Sequence, residues 1–237
     1  MKTTTKILKR GLIALALVII SCEKTGTDAN FTEETGLEEG FMSHTENADS
    51  EIKEAQEYIH PLLHKRYDAA LTRDEAKAMF RTEVSKFIKK NDLTSKRTSY
   101  VYYEVYTKTG NKFHSQTNGS VEAAVTFYTD QGWLHPMAIL NNKGDDRQNG
   151  SWDFYYLGFP APSISWLEAK IASIRLRGTD GWYLEYFTVR ANPQNYYEGV
   201  SGGTTIHSRP DVWLDNTTSY GWNHYNTGLI GRGRLTF

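Results

Sequence analysis

Seven histidines and a single cysteine are the residues of this chain best suited to metal or nucleophilic chemistry, and their spacing favours neither. His60 and His64 stand four apart and could share a helix face, but Pro61 intervenes and no His-Glu-x-x-His surrounds them. His114, His135, His207 and His224 are scattered through segments that read as loops. No Gly-x-Ser-x-Gly elbow occurs, so a hydrolase nucleophile has no recognisable seat. Aromatic side chains are the stronger lead. Trp133 follows Gly132 in a turn, and Trp222 and Tyr225 fall in the polar run Tyr220-Gly221-Trp222-Asn223-His224-Tyr225. Rings flanked by Asn and Gly suit sugar stacking, insertion at a membrane interface or a protein hot spot, which makes these three the candidate ligand-binding residues. The alternative is that they plug the ends of a β core, and it applies most to Trp133.

The cysteine is placed differently. Lys2, Lys6, Lys9 and Arg10 precede the apolar run Leu12–Ile20, and Ser21-Cys22 closes it. A basic head, a short apolar centre and a small residue at the cut point make a secretory signal, and the run falls short of the roughly 20 residues of a spanning helix. Ser21-Cys22 in this setting resembles the lipobox of bacterial lipoproteins. That resemblance implies removal of residues 1–21 and acylation of Cys22 (palmitate among the chains), which becomes the first residue. The alternative is an ordinary signal with an incidental thiol, although no other cysteine exists for it to pair with. An acylated chain would be a lipid-anchored protein of the bacterial cell envelope, since two or three acyl chains give stable anchorage where one is marginal. With no disulfide available, its stability must come from an ordinary core.

Composition is compatible with such a core. Fifteen Tyr, 10 Phe and 6 Trp make the chain aromatic-rich, as extracellular β domains and binding surfaces are. The formal charge is −1; without the four basic residues of the signal, 23 basic residues face 28 acidic ones, a charge of −5. A mildly acidic protein is a poor nucleic-acid binder, so that partner class is set aside.

The elements that must position these residues divide the chain in four. Residues 1–21 are the signal. Residues 22–49 are acidic, Gly-containing and without apolar period, and read as a flexible tether. Residues 50–95 predict a helical hairpin. Its first arm is capped by Asp49 or Ser50, carries Ile52, Ala55, Ile59, Leu62 and Leu63, and is kinked at Pro61; its second opens on the capping-box pair Thr72 and Glu75 and runs to Asn91. Residues 96–237 switch to period two. Val101, Tyr103 and Val105 alternate with Tyr102, Glu104 and Tyr106, and the runs Val121–Phe127 and Ala172–Leu176 alternate likewise, with Gly- and Asn-rich turns between them. Many short half-buried strands with such punctuation predict an antiparallel β-sandwich, so the fold class is mainly β, preceded by the helical hairpin.

Within residues 99–215 the order of these pieces resembles the PLAT, or lipoxygenase-homology, β-sandwich family. The strand and turn Tyr103–Asn111, the strand Val121–Tyr128, Gly150-Ser151-Trp152-Asp153-Phe154, and the hairpin of Ile171–Arg177 with Trp182–Val189 carry the resemblance, and Val212-Trp213-Leu214 follows at the family's late Trp-Leu. Trp182 and Leu184 share one parity and Phe187 and Val189 the other, so a β-bulge near Glu185-Tyr186 is expected to bring all four to one core face. The PLAT resemblance implies binding rather than catalysis. Such domains attach enzymes to lipid surfaces or mediate protein contacts, and some bind calcium. A calcium site here would draw on Asp145, Asp146, Asp153 and Asp180, with Asn111 standing where an acidic residue is usual; the alternative, which we prefer, is that these aspartates close turns without a metal. The expectation is therefore a membrane-anchored, non-enzymatic binding module for a protein or lipid partner, with glycan binding by the loop aromatics as the alternative.

Overall fold

The computed structural model describes residues 58–93, 100–141, 147–161, 163–178, 180–191, 201–215 and 222–237. The expected signal, the tether and the start of the first helical arm lie outside them. In chain order the elements are β1 (Tyr58–Ile59), β2 (Leu63–Tyr67), α1 (Arg73–Asn91), β3 (Tyr100–Thr109), β4 (Ser120–Thr129), β5 (Gly132–Leu134), β6 (Met137–Ile139), β7 (Trp152–Pro160), β8 (Trp166–Arg177), β9 (Trp182–Ala191), β10 (Ser201–Gly202), β11 (Thr204–Ser208), β12 (Val212–Leu214), β13 (Trp222–Asn226) and β14 (Leu235–Thr236).

Two sheets result. The first runs β1-β6-β4-β8-β14-β10, with β5 beside β4 and β13 beside β8; the second runs β11-β9-β3-β7-β2, with β12 beside β9. Every pairing is antiparallel except the short parallel one of β1 with β6. The sheets share one core, in which Val101, Tyr103 and Val105 of β3 meet Val121, Val125 and Phe127 of β4 and Ala172, Ile174 and Leu176 of β8. Period-two alternation puts those residues on a common side, and the mainly β sandwich read from the sequence is the fold observed.

The hairpin of β8 and β9 bears out the expected bulge. Lys108 pairs with Tyr186 and Thr109 with Leu184, so Glu185 is the extra residue, and Trp182, Leu184, Phe187 and Val189 all enter the same core. The indole N–H of fully buried Trp182 donates to Thr109 Oγ1 at 2.9 Å, which satisfies its one polar atom.

The expected helical hairpin is corrected. Among the described residues only its second arm is a helix, and Tyr58–Ile59 and Leu63–Tyr67 form β1 and β2 where the first arm was expected to continue. Pro61 has no N–H to give a helix and lies between the two strands, while Leu63–Tyr67 bonds the free edge of β7. The spacing of Ile59 and Leu63 misled because a separation of four fits a helical face, yet the two residues fall on successive strands with Pro61 between them. Helix α1 keeps its predicted start: Thr72 caps Glu75, and the Glu75 side chain accepts in return from the Thr72 N–H. It ends at Asp92, whose backbone is left-handed and whose N–H bonds Ile88 O.

The helix also explains a second difference. Strand β3 was expected to turn one polar face to solvent, yet Tyr102 and Tyr106 are buried. Ala76, Phe80, Val84 and Ile88, spaced four apart along α1, cover them together with Tyr67, Trp152, Phe154 and Tyr156. Phe80 packs on Phe154 with centroids 5.3 Å apart and edge-on to Tyr106 at 6.4 Å. The order from one side to the other is thus helix, second sheet, first sheet.

Candidate functional site

One end of the sandwich presents a rigid base and an exposed tip. Beyond β3, the Gly110 N–H donates to Tyr183 O at 2.9 Å, and a Cβ at Gly110 would lie 2.3 Å from the Tyr183 ring, so only glycine fits this crossing. The Tyr183 N–H in turn donates to Ser115 O, the Thr117 hydroxyl donates to Asp180 O at 2.8 Å, and the Asn118 N–H donates to the Asp180 carboxylate at 3.0 Å. Ser115 and Thr117 are fully buried by these ties. Between Gly110 and Ser115, Lys112, Phe113 and His114 project outward. Phe113 is 85% exposed, the highest value among the described large hydrophobics. Lys112 Nζ sits 3.6 Å over the Tyr183 ring, and Tyr183 meets Trp213, itself 40% exposed, at 5.3 Å. The result is a rim of rings with a cation among them, fixed from below.

The four aspartates do not share one role. Asp145 and Asp146 lie outside the described residues. Asp153 is not on a loop: it sits in β7, fully buried, and accepts from His64 Nε2 at 2.9 Å. Asp180 closes the loop described above, as turn chemistry requires. Among the described residues no group of three or more His, Cys, Asp or Glu is placed to hold a metal ion. Nor does the His64–Asp153 pair form a catalytic triad, since Ser151 lies 3.4 Å from the carboxylate instead of against the imidazole.

The three aromatic candidates are separated. Trp133 of β5 is 54% exposed on the outer face of the first sheet, where it meets Tyr128 at 4.6 Å; Tyr128 meets Trp166 at 5.4 Å. Arg234 lies 4.1 Å over Trp166 and bonds Glu168, so the platform has charged neighbours. Trp222 is half-buried on the same face, 4.3 Å beneath the Arg175 guanidinium in a groove of about 270 Å³. It pairs with Arg177, which pairs with Ser120 at the start of β4, whereas Trp133 pairs with Tyr128 near its end. Eight strand residues separate the two tryptophans by roughly 25 Å along the strands, and they lie on opposite sides of the β4–β8 pair as well. Tyr225 turns the other way, packs on the core and shares a 2.5 Å hydrogen bond with Ser208. Phe113, Tyr128 and Trp166 were not singled out from the sequence, although Phe113 stands among polar turn residues just as Trp222 does.

No protein-family profile matches the chain, and no curated protein is significantly similar to it. Among solved structures it is similar to the alpha-toxin of an avian strain of Clostridium perfringens (TM-score 0.37, 16% identity, 68% of this chain and 44% of the toxin). It is similar also to the alpha toxin of Clostridium absonum (TM-score 0.37, 20% identity, 61% of this chain and 36% of the toxin). A LOX solved with arachidonate matches at a TM-score of 0.28 and 16% identity, over 58% of this chain and 16% of the LOX. The chain therefore spans less than half the length of each of these proteins, and what binds it has to be argued from its own side chains.

Proposed function

We propose that this chain is a non-enzymatic binding module, anchored in the bacterial cell envelope through acylated Cys22, whose sandwich docks on a lipid surface through the Phe113 end. The observation that carries this is Phe113, 85% exposed on a loop whose base is buried and hydrogen-bonded. An exposed ring on a rigid mount loses little entropy on insertion, and burying a phenylalanine yields about 1.5–3 kcal/mol. Lys112 beside it would add about 1 kcal/mol near an anionic leaflet. Contacts this weak suffice for a protein already tethered to the same membrane, because docking is then an intramolecular event. Vesicle flotation of the chain from residue 23, in calcium and in chelator, tests the proposal. Flotation that Phe113→Ala abolishes supports it, flotation only in calcium would add a metal drawn from the aspartate loops, and flotation untouched by Phe113→Ala would overturn it. The anchor is tested apart: Cys22→Ser in the full chain should release the protein from the membrane fraction.

A second reading, glycan binding, is favoured by the Tyr128, Trp133 and Trp166 platform with Glu168 and Arg234 at its edge. Stacked rings beside hydrogen-bonding side chains suit a sugar face. A glycan array in which Trp133→Ala removes the signal and Phe113→Ala does not would establish it in place of the lipid surface.

A further inference from the structure

Helix α1 covers only part of the second sheet. Its apolar stripe rests on β2, β3 and β7, which leaves the outward side chains of β9 and β11 facing a groove of about 580 Å³ along the helix flank. Arg73 and Lys77, one turn apart, form the helix wall; Arg190 of β9 and His207 of β11 face them. Arg81, one turn further, acts on Lys77 as well. The carboxylates near these cations are Glu104, buried and 4.0 Å from Arg190 Nη1, and Asp74, exposed and 3.6 Å from Arg73 Nε. Three lining cations, with Arg81 one turn beyond them, against two carboxylates leave the groove positive.

Two groups register that excess. Lys77 has no hydrogen bond or ion pair among the described residues, and burial, then Arg190 and Arg81, hold its ammonium below the usual lysine range. His207 is held below the usual histidine range by burial and then by Arg73 and Lys77. The Arg73 guanidinium, which can only donate, donates to His207 Nε2 at 3.2 Å, so the neutral ring carries its proton on Nδ1 and donates it to Thr188 Oγ1 at 2.6 Å. Cations brought together in excess of their counter-charges repel one another, and an anion in the groove would relieve the repulsion.

We propose that this groove binds a phosphate group, with Arg73, Lys77 and Arg190 as its cationic ligands and His207 as a donor once protonated. Two guanidinium forks and an ammonium offer more donors than the two oxygens of a carboxylate can use, whereas a phosphate has oxygens enough to accept from all three walls. The site is independent of Phe113, which lies on a loop elsewhere in the chain, and it needs no membrane to be occupied.

Titration calorimetry of the full chain carrying Cys22→Ser with inorganic phosphate, against chloride at equal ionic strength, is the test. The expected result is saturable binding that weakens at least about tenfold in Lys77→Gln and in Arg73→Gln and is unchanged in Phe113→Ala. Gln is nearly as good a helix former as Lys or Arg, and matching thermal melts would show that the variants fold. Binding should also raise the titration midpoint of the His207 ring followed by NMR. Absence of saturable binding, or affinity unaffected by both substitutions, would overturn the proposal. Vesicles of phosphatidylcholine with and without phosphatidate identify the source of the group: Lys77-dependent preference for phosphatidate vesicles assigns a lipid headgroup, and binding of inorganic phosphate without that preference assigns a soluble phosphate.

Discussion

His64 of β2 and Asp153 of β7 stand 89 positions apart and are joined by a 2.9 Å hydrogen bond from the imidazole Nε2 to a fully buried carboxylate. The ring also stacks on Tyr155 at 4.6 Å. This contact ties the edge strand β2 to the sandwich from inside the sheets, while Tyr67 ties it from the helix side. Removing the imidazole would leave the buried carboxylate without its 2.9 Å donor, with the Ser151 hydroxyl more distant at 3.4 Å. His64→Ala should therefore cost about 3 kcal/mol and Asp153→Asn, which keeps an acceptor, about 1 kcal/mol. Urea unfolding at constant m-value measures both, and a His64→Ala midpoint equal to that of the parent would refute the assignment.

The helix makes a separate prediction. Phe80 is fully buried between α1 and the rings of Tyr106 and Phe154, so Phe80→Ala should cost about 3–5 kcal/mol. A chain begun at residue 96, the boundary drawn from periodicity, would lack β2 and α1 and expose Tyr102, Tyr106, Phe154 and Tyr156 together. It should bind a hydrophobic dye and aggregate where a chain begun at residue 53 stays monodisperse. Equal behaviour of the two would mean that the helix contributes little to the sheet it covers.

These residues show what the sequence could and could not reveal. The long strands β3, β4 and β8 were legible because sustained alternation has no helical counterpart, and even the bulge at Glu185 in β9 followed from the parity of four core residues. Strands β11 and β13, five residues each, read as loops in the sequence although they carry His207 and His224. Strand β2 was not legible either, since it is five residues long and Leu63 stands four from Ile59, as on a helical face. The second buried face of β3 was hidden because Tyr102 and Tyr106 look equally apt for solvent or for a covering helix. At the sites, Trp222 and Tyr225 were grouped by proximity, yet an odd spacing on a strand sends them to opposite faces. The cationic groove could not be read at all: Arg73, Arg190 and His207 meet only once helix and sheet are packed.

Acid should weaken the fold through identifiable carboxylates. Hydrogen bonds from Thr72 hold Glu75 below the usual range, the Lys170 and then the Arg234 hydrogen bond does so for Glu168, and the Ser165 hydroxyl for Asp130. A group whose folded value is depressed stabilises above its ordinary value, 4.5 for Glu75 and Glu168, and the contribution is lost as pH falls through the depressed value. Stability should accordingly decline on acidification below about pH 4.5. Thr72→Ala should cost about 1 kcal/mol at neutral pH and take away Glu75's share of that decline. Unfolding curves collected down the acid limb would show it; a Thr72→Ala limb as steep as the parent's, displaced by a constant, would sink the capping-box explanation.

His207 predicts a second window at higher pH. Its ring stacks on Tyr186 at 5.8 Å and is bonded to Thr188 on β9 and to Arg73 on α1; Lys77 and Arg190 line the same groove, with Glu104 and Asp74 as its acidic neighbours. Its folded value lies below the ordinary 6.5, so as pH falls below 6.5 the unfolded chain takes up the proton first and stability drops. The loss runs until the folded ring is protonated too, at which point Arg73 faces a donor in place of an acceptor. His207→Gln should flatten this window and leave the carboxylate window untouched, and the difference between the two profiles cancels the other six histidines. Inorganic phosphate should flatten it as well, because an anion among Arg73, Lys77 and Arg190 makes the protonated ring acceptable. Denaturation profiles across this window with and without phosphate decide the matter: a phosphate effect that persists in Lys77→Gln would place the anion elsewhere.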